Sequence, residues 1–174
     1  YYANEPITLA QALALSDNVY AVKTNMYLGV EHLVKTAQSL GIESKLPAVP
    51  SLALGTASVS VREMVTGYSV LANGGRKVEA YTIRKITDLN GKRLYERDDI
   101  LQPQILDRSN AFILTDLMTG MFDRQLDGYM PVTGATVSDK LTHTYAGKSG
   151  STNSDSWMIG YSPRLVTGVW TGYD

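Results

Sequence analysis

Apolar residues recur at helical spacing through the first part of the chain and at alternate positions near its end. Leu9, Ala12, Leu13 and Leu15 form one helical stripe, opened by Thr8-x-x-Gln11, a capping box that satisfies free amide donors at a helix start. Ser16-Asp17-Asn18 interrupts this run with residue types that favour caps and turns, which predicts a junction between two helices. The second helix is predicted from Val19 to about Leu28, stopped by Gly29, and a third from about Glu31 to Leu40, stopped by Gly41. Pro47 and Pro50 mark a loop, and Ser60-x-x-Glu63 is a further capping box opening a helix that ends at Asn73-Gly74-Gly75.

The period then changes. Tyr81 to Thr87 has strand-like composition, Asn90-Gly91 is a hairpin turn signal, and Lys92 to Tyr95 returns. Asp107 or Ser109 is expected to cap a helix through about Phe122, and the Gly-, Asp- and Thr-rich stretch from Asp123 to Asp139 reads as a long loop. The end is β: His143 to Thr152, Asp155 to Tyr161 and Leu165 to Tyr173, with Ser162-Pro163-Arg164 as a turn. Gly160, Gly168 and Gly172 suggest backbone approached closely by a packed helix. Helices with a terminal antiparallel meander predict a mixed domain whose helices cover a sheet.

At 174 residues, 44 % apolar and 19 % charged, the chain is one globular domain or a large part of a bigger one. A net charge of −1 gives no reason to expect nucleic acid as a partner. There is no cysteine, and two histidines without cysteine fall short of a zinc ligand set; no metal and no cofactor are expected. No apolar run approaches the ~18 residues a membrane span needs. Tyr1-Tyr2 and Tyr173-Asp174 read as cuts inside a larger protein, so that an anchor is expected outside this chain.

The chemistry concentrates in Lys148-Ser149-Gly150-Ser151. An ammonium, two hydroxyls and a glycine on one strand make a natural carboxylate receptor, and Gly150 lets a ligand backbone lie against the strand. If the strand is an edge, an extended peptide can add to it through main-chain hydrogen bonds. A nucleotide-binding reading of Gly147-Lys148-Ser149 fails, because the phosphate loop needs a glycine where Thr142 stands. In Ser16-Asp17-Asn18, a hydroxyl can relay protons and the Asn amide can both donate to and accept from a substrate amide. Taken alone, each triplet also reads blandly, as a polar strand end and as a helix cap. Ser16 has no Lys three places on and no neighbouring base, so it is not expected to be a nucleophile. His143 could shape a rim, although an exposed strand start is the simpler reading; His32 reads as a helix-surface residue.

Ser-Asp-Asn and Lys-Ser-Gly together resemble two of the three motifs of serine enzymes that react with β-lactams. Their context resembles the transpeptidase domain of class A, bifunctional penicillin-binding proteins. The likeness runs through Thr8 to Lys23, Leu54-Gly55-Thr56-Ala57-Ser58-Val59-Ser60, Ala72-Asn73-Gly74-Gly75, and Gly147 to Asn153 with Trp157 to Pro163. Lys-Ser-Gly stands where Lys-Thr-Gly is commoner, which keeps the hydroxyl. The third motif, Ser-x-x-Lys, does not occur: the residues three before each Lys are Tyr20, His32, Ile42, Gly74, Thr82, Leu89, Val137 and Tyr145. In the family it lies upstream of Ser-x-Asn.

The resemblance implies an α/β fold, a three-layer α-β-α sandwich around a five-stranded antiparallel sheet, of which residues 1–174 would be a partial transpeptidase domain lacking strands and a terminal helix. It implies cross-linking of peptidoglycan stem peptides outside the bacterial cytoplasmic membrane. A serine attacks D-Ala-D-Ala, D-Ala leaves, and an amine resolves the acyl-enzyme. By motif, Ser16 and Lys148 would relay protons, Asn18 would hold the substrate amide, and Ser149, Gly150 and Ser151 would bind substrate or β-lactam, with the Ser151 N–H as an oxyanion donor. The remaining partners implied are the rest of the transpeptidase domain and a glycosyltransferase domain. The alternatives are a serine β-lactamase, for which no Glu of this chain has the deacylating-loop context, and a non-catalytic module that binds β-lactams or cell-wall peptides. All three functional readings require Ser16 and Lys148, 132 positions apart, to meet in one cleft.

Overall fold

Residues 3–173 are described here by a computed structural model; Tyr1, Tyr2 and Asp174 lie outside the described residues. Helix α1 (Leu9–Ala14) starts at the predicted cap, where the Thr8 hydroxyl accepts from the Gln11 N–H at 3.2 Å. Helix α2 (Asn18–Leu28) begins one residue before the predicted Val19, because Asp17 rather than Asn18 is the cap. Helix α3 (Val30–Ser39) follows directly, with Gly29 at φ 93° between the two. The proline loop holds a 3-10 turn, Pro50–Leu54, tied to α2 by the buried Asn25 amide, which donates to the Val49 and Pro50 carbonyls at 3.3 and 3.1 Å.

Helix α4 (Val61–Ala72) opens on a complete capping box, with Ser60 and Glu63 bonding each other's backbone N–H. The Glu63 carboxylate also accepts from the N–H groups of Glu43 and Ser44 and from the Ser44 hydroxyl, so one side chain joins the α3–α4 connection to the α4 cap. These donors, the Ser60 backbone foremost, hold its pKa down to about 2.

Strands β1 (Lys85–Thr87) and β2 (Arg93–Glu96) form the hairpin signalled by Asn90-Gly91. β1 is shorter than the predicted Tyr81–Thr87; Tyr81 lies outside it, its ring under the Arg97 guanidinium, 4.5 Å from the ring centroid. Helix α5 (Arg108–Thr119) is capped by Asp107, and a 3-10 turn extends it to Phe122. The 123–139 segment is a loop with short 3-10 turns at Arg124–Leu126 and Ser138–Lys140.

Strands β3 (Ala146–Ser151), β4 (Asp155–Ser162) and β5 (Leu165–Gly172) make an antiparallel sheet in the order β3-β4-β5. β3 starts at Ala146, not at the predicted His143; Thr142, His143 and Tyr145 pair among themselves ahead of it. Helices α4 and α5 cover one face. There Tyr161, 2 % exposed, meets the Tyr68 ring edge-on at 6.0 Å and donates to the Thr115 hydroxyl at 3.1 Å, with Leu71, Met118 and Ala146 around it.

Of the three strand glycines expected to lie under a helix, only Gly168 does. A Cβ there would stand 2.6 Å from the Val65 Cγ2 of α4, whereas one at Gly160 meets nothing within 4 Å and one at Gly172 meets Asp155 and Trp170 of the sheet itself. The opposite face is bare among the described residues, with Leu165 67 % and Val169 51 % exposed. The described residues therefore supply two of the expected layers and three strands of the sheet, with the β1–β2 hairpin as a separate sheet.

Candidate active site

Helix α1 ends in a Schellman motif, in which the Ser16 N–H bonds the Leu13 carbonyl at 3.1 Å and the Asp17 N–H bonds the Ala12 carbonyl at 2.9 Å. That motif requires a left-handed residue at position 16, normally glycine. Ser16 takes it at φ 56°, the one non-glycine with positive φ among the described residues. The conformation costs an L-residue about 1–2 kcal/mol. It turns the chain sharply between α1 and α2, with Ser16 half-buried at the bend.

Asp17, 8 % exposed, completes the turn. Its Oδ1 accepts the Tyr20 N–H and its Oδ2 the Tyr129 hydroxyl, each at 2.7 Å. Burial pushes the Asp17 carboxyl up, but the Tyr20, Tyr129 and Val19 donors and the Lys23 charge outweigh it and leave the pKa below the usual 3.8. Reciprocally, the bond to Asp17, then burial, pushes the Tyr129 hydroxyl up to about 12.

Lys148 approaches from the sheet. Its register partners are Ile159 on β4 and, through it, Gly168 on β5, so it lies in the pleat row that faces the helices. The ammonium donates to the Ser16 hydroxyl and to the Ser149 carbonyl, both at 2.7 Å. Burial lowers its pKa from the usual 10.5, and among the described residues no carboxylate pairs with it to restore the charge. An amine made easier to deprotonate, bonded to a hydroxyl, can pass a proton through that hydroxyl.

The Thr152 N–H bonds the Asp155 carbonyl, toward β4, at 2.9 Å. Antiparallel alternation then turns the N–H and C=O groups of Ser149 and Ser151 to the outer edge of β3, which no strand pairs among the described residues. The Ser149 carbonyl taken by Lys148 is one of these outward groups. Ser149 is half-buried and falls in the alternate pleat row with Met158; Gly150 and Ser151 are exposed.

The structure thus brings Ser16, Lys148 and the edge of Ser149 together. Asn18 is the exposed first residue of α2, two positions from Ser16. His32 is exposed on α3, and His143 lies outside the Lys148 contacts. Sequence reasoning missed Tyr129, which sits in the 123–139 loop, 112 positions from Asp17. No local pattern marks it among eleven tyrosines.

The family described as "Penicillin binding protein transpeptidase domain" matches residues 1–172. Penicillin-binding protein 2D of Bacillus subtilis (strain 168) is 58 % identical over 174 residues, all of this chain and 25 % of that protein. Penicillin-binding protein 1A of Neisseria flavescens is 34 % identical over 97 % of this chain and 21 % of its own length. The crystal structure of penicillin-binding protein 1A from Haemophilus influenzae superposes with a TM-score of 0.87 at 25 % identity, over 97 % of this chain and 30 % of that one. The chain spans about a quarter of the curated relatives it matches. With its Ser-Asp-Asn turn and Lys-Ser-Gly strand joined at 2.7 Å, the chain belongs to the penicillin-binding protein transpeptidase family.

Proposed function

We propose that this segment is the proton-relay and substrate-binding half of a serine D,D-transpeptidase that cross-links peptidoglycan stem peptides and is acylated by β-lactams. The observation that carries the reading is the Lys148–Ser16 hydrogen bond beside an unpaired strand edge. The nucleophilic serine belongs to a Ser-x-x-Lys motif elsewhere in the polypeptide. Its oxygen attacks the penultimate D-Ala carbonyl, and its proton passes by way of Ser16 and Lys148 to the departing D-Ala amine. An amine of a second stem peptide then attacks the acyl-enzyme, giving its proton back along the same route.

The substrate lies as an added strand along β3, where Gly150 leaves room for its backbone. The outward N–H of Ser151 meets the developing oxyanion, a kind of contact worth about 2.7–4 kcal/mol in the transition state. Ser149 and Ser151 bind the substrate carboxylate through their hydroxyls, and Asn18 holds the substrate amide. No helix among the described residues is long and apolar enough to cross a membrane. The extracytoplasmic location and the companion glycosyltransferase domain are proposed from the resemblance to class A penicillin-binding proteins.

The test is acylation of the full-length protein by a fluorescent penicillin, located by mass spectrometry. Ser16→Ala and Lys148→Ala are expected to slow acylation by about 100-fold or more, the scale of losing a general acid–base step. The label is expected on a serine outside residues 1–174. A stable adduct on Ser16, or unchanged acylation in both variants, would overturn the assignment.

A further inference from the structure

The loop from 127 to 135 is bound to the end of α1 at several points. The Thr133 N–H and hydroxyl both donate to the Ala14 carbonyl, at 3.1 and 3.3 Å. Tyr129 and Val132 pack on Ala14 and Leu15. Gly128 lies so close that a Cβ would stand 2.7 Å from the Gln11 amide nitrogen and 3.3 Å from Leu15 Cδ1. The Asp127 carboxylate accepts the Val132 N–H at 2.9 Å and keeps the loop folded on itself.

Packing alone does not call for the Tyr129 hydroxyl, since a phenyl ring would fill the same space. The hydroxyl makes one bond, to Asp17 Oδ2. Asp17 in turn touches both sides of the Ser16 turn: its N–H closes α1 and its Oδ1 opens α2. Ser16 is thereby held in a left-handed conformation it would not choose, between two helix ends that meet on one residue, α1 on the Asp17 backbone N–H and α2 on its carboxylate.

We propose that Tyr129 and Asp17 are positioning residues of the transpeptidase site, a tether from the 127–135 strap that fixes the Ser16 turn so that its hydroxyl meets Lys148. The proposal rests on the Ser16–Lys148 relay described above. Without the Tyr129 bond the turn keeps its helix caps but gains freedom to rotate the hydroxyl away from the ammonium, so the proton step slows while substrate capture on β3 does not.

The experiment is single-turnover acylation of the full-length protein by a fluorescent penicillin, separating the acylation rate constant from the preceding binding constant. Tyr129→Phe is expected to lower the acylation rate constant about tenfold, the scale of one hydrogen bond to a charged group. The binding constant should stay within about twofold and the labelled fraction should be unchanged. A residue that served only stability would lower the melting temperature and the labelled fraction but leave that rate constant alone, and this result would overturn the proposal.

Asp17→Asn, which can still accept from Tyr20, is the second variant. Combined with Tyr129→Phe it should be no slower than the slower single variant, as for two members of one contact; independent, multiplying losses would overturn the coupling. Ser16→Ala separates the two levels of the reading. If Ser16→Ala slows acylation and Tyr129→Phe does not, the tether alone is wrong. If neither does, the relay itself is wrong.

Discussion

Ser16 offers a direct measure of what the site costs the fold. Ser16→Gly and Ser16→Ala both delete the hydroxyl and its bond to Lys148, so that loss cancels between them. They differ in the backbone. At φ 56° alanine retains the left-handed cost of about 1–2 kcal/mol, whereas glycine is free of it. Glycine gives back about 0.5–1 kcal/mol through the greater freedom of its unfolded chain. The glycine variant should therefore be the more stable of the two by about 0.5–1 kcal/mol, the reverse of their order inside a helix. For a domain of 150–250 residues that corresponds to a melting temperature roughly 1–4 °C higher. The assay is calorimetry of the transpeptidase transition in the full-length protein, beside penicillin acylation, which both variants should lose alike. An alanine variant that melts at or above the glycine variant would refute the claim that the turn is strained to present a hydroxyl.

Three further outcomes are expected. Glu63 has a depressed pKa of about 2, so its stabilisation is complete above the usual 4.5 and disappears as pH falls through 2. Glu63→Gln should cost about 1–2 kcal/mol at neutral pH, after solvent screening at this surface site, and should flatten the acid limb of the stability–pH curve measured by chemical denaturation. Lys148 has a lowered pKa, so the fold binds fewer protons there than the unfolded chain does; stability should rise as pH climbs from the lowered value toward 10.5, and Lys148→Met should remove that rise in alkaline melts. Gly168→Ala should cost about 1–3 kcal/mol by driving a Cβ into Val65, while Gly160→Ala, open on its face, should change the melting temperature little.

Much of this architecture was legible from local chemistry. The Ser60–Glu63 box, the Asp107 cap, the Asn90-Gly91 hairpin and the alternation of β4 are each decided by residues within a few positions of one another. Element boundaries slipped by a few residues at α2, β1 and β3. Tyr81 lies outside β1 and under the Arg97 guanidinium, and the segment from Thr142 to Tyr145 lies outside β3, its side chains paired among themselves. The two motifs of the site were legible as motifs. Their meeting was an expectation drawn from the resemblance, since nothing local encodes a contact across 132 positions. Tyr129 was illegible for the same reason, and the left-handed Ser16 because serine carries no local sign of that conformation. The glycine rule failed at Gly172 because the close neighbours there belong to the sheet itself, and at Gly160 because the space over that glycine is open.

The Asp17 and Ala14 anchors of the strap lie at fixed places on a rigid helix end, and the side chains that reach them, Tyr129 and Thr133, are four residues apart in an otherwise irregular stretch. The segment therefore works as a ruler. Substitutions at Met130 or Pro131 leave its gauge intact, but adding or deleting one residue there would let only one anchor engage at a time. Surface loops usually tolerate changes of length better than rigid elements do; here length is the constrained quantity, and redesign of this loop should vary its composition and leave its count alone.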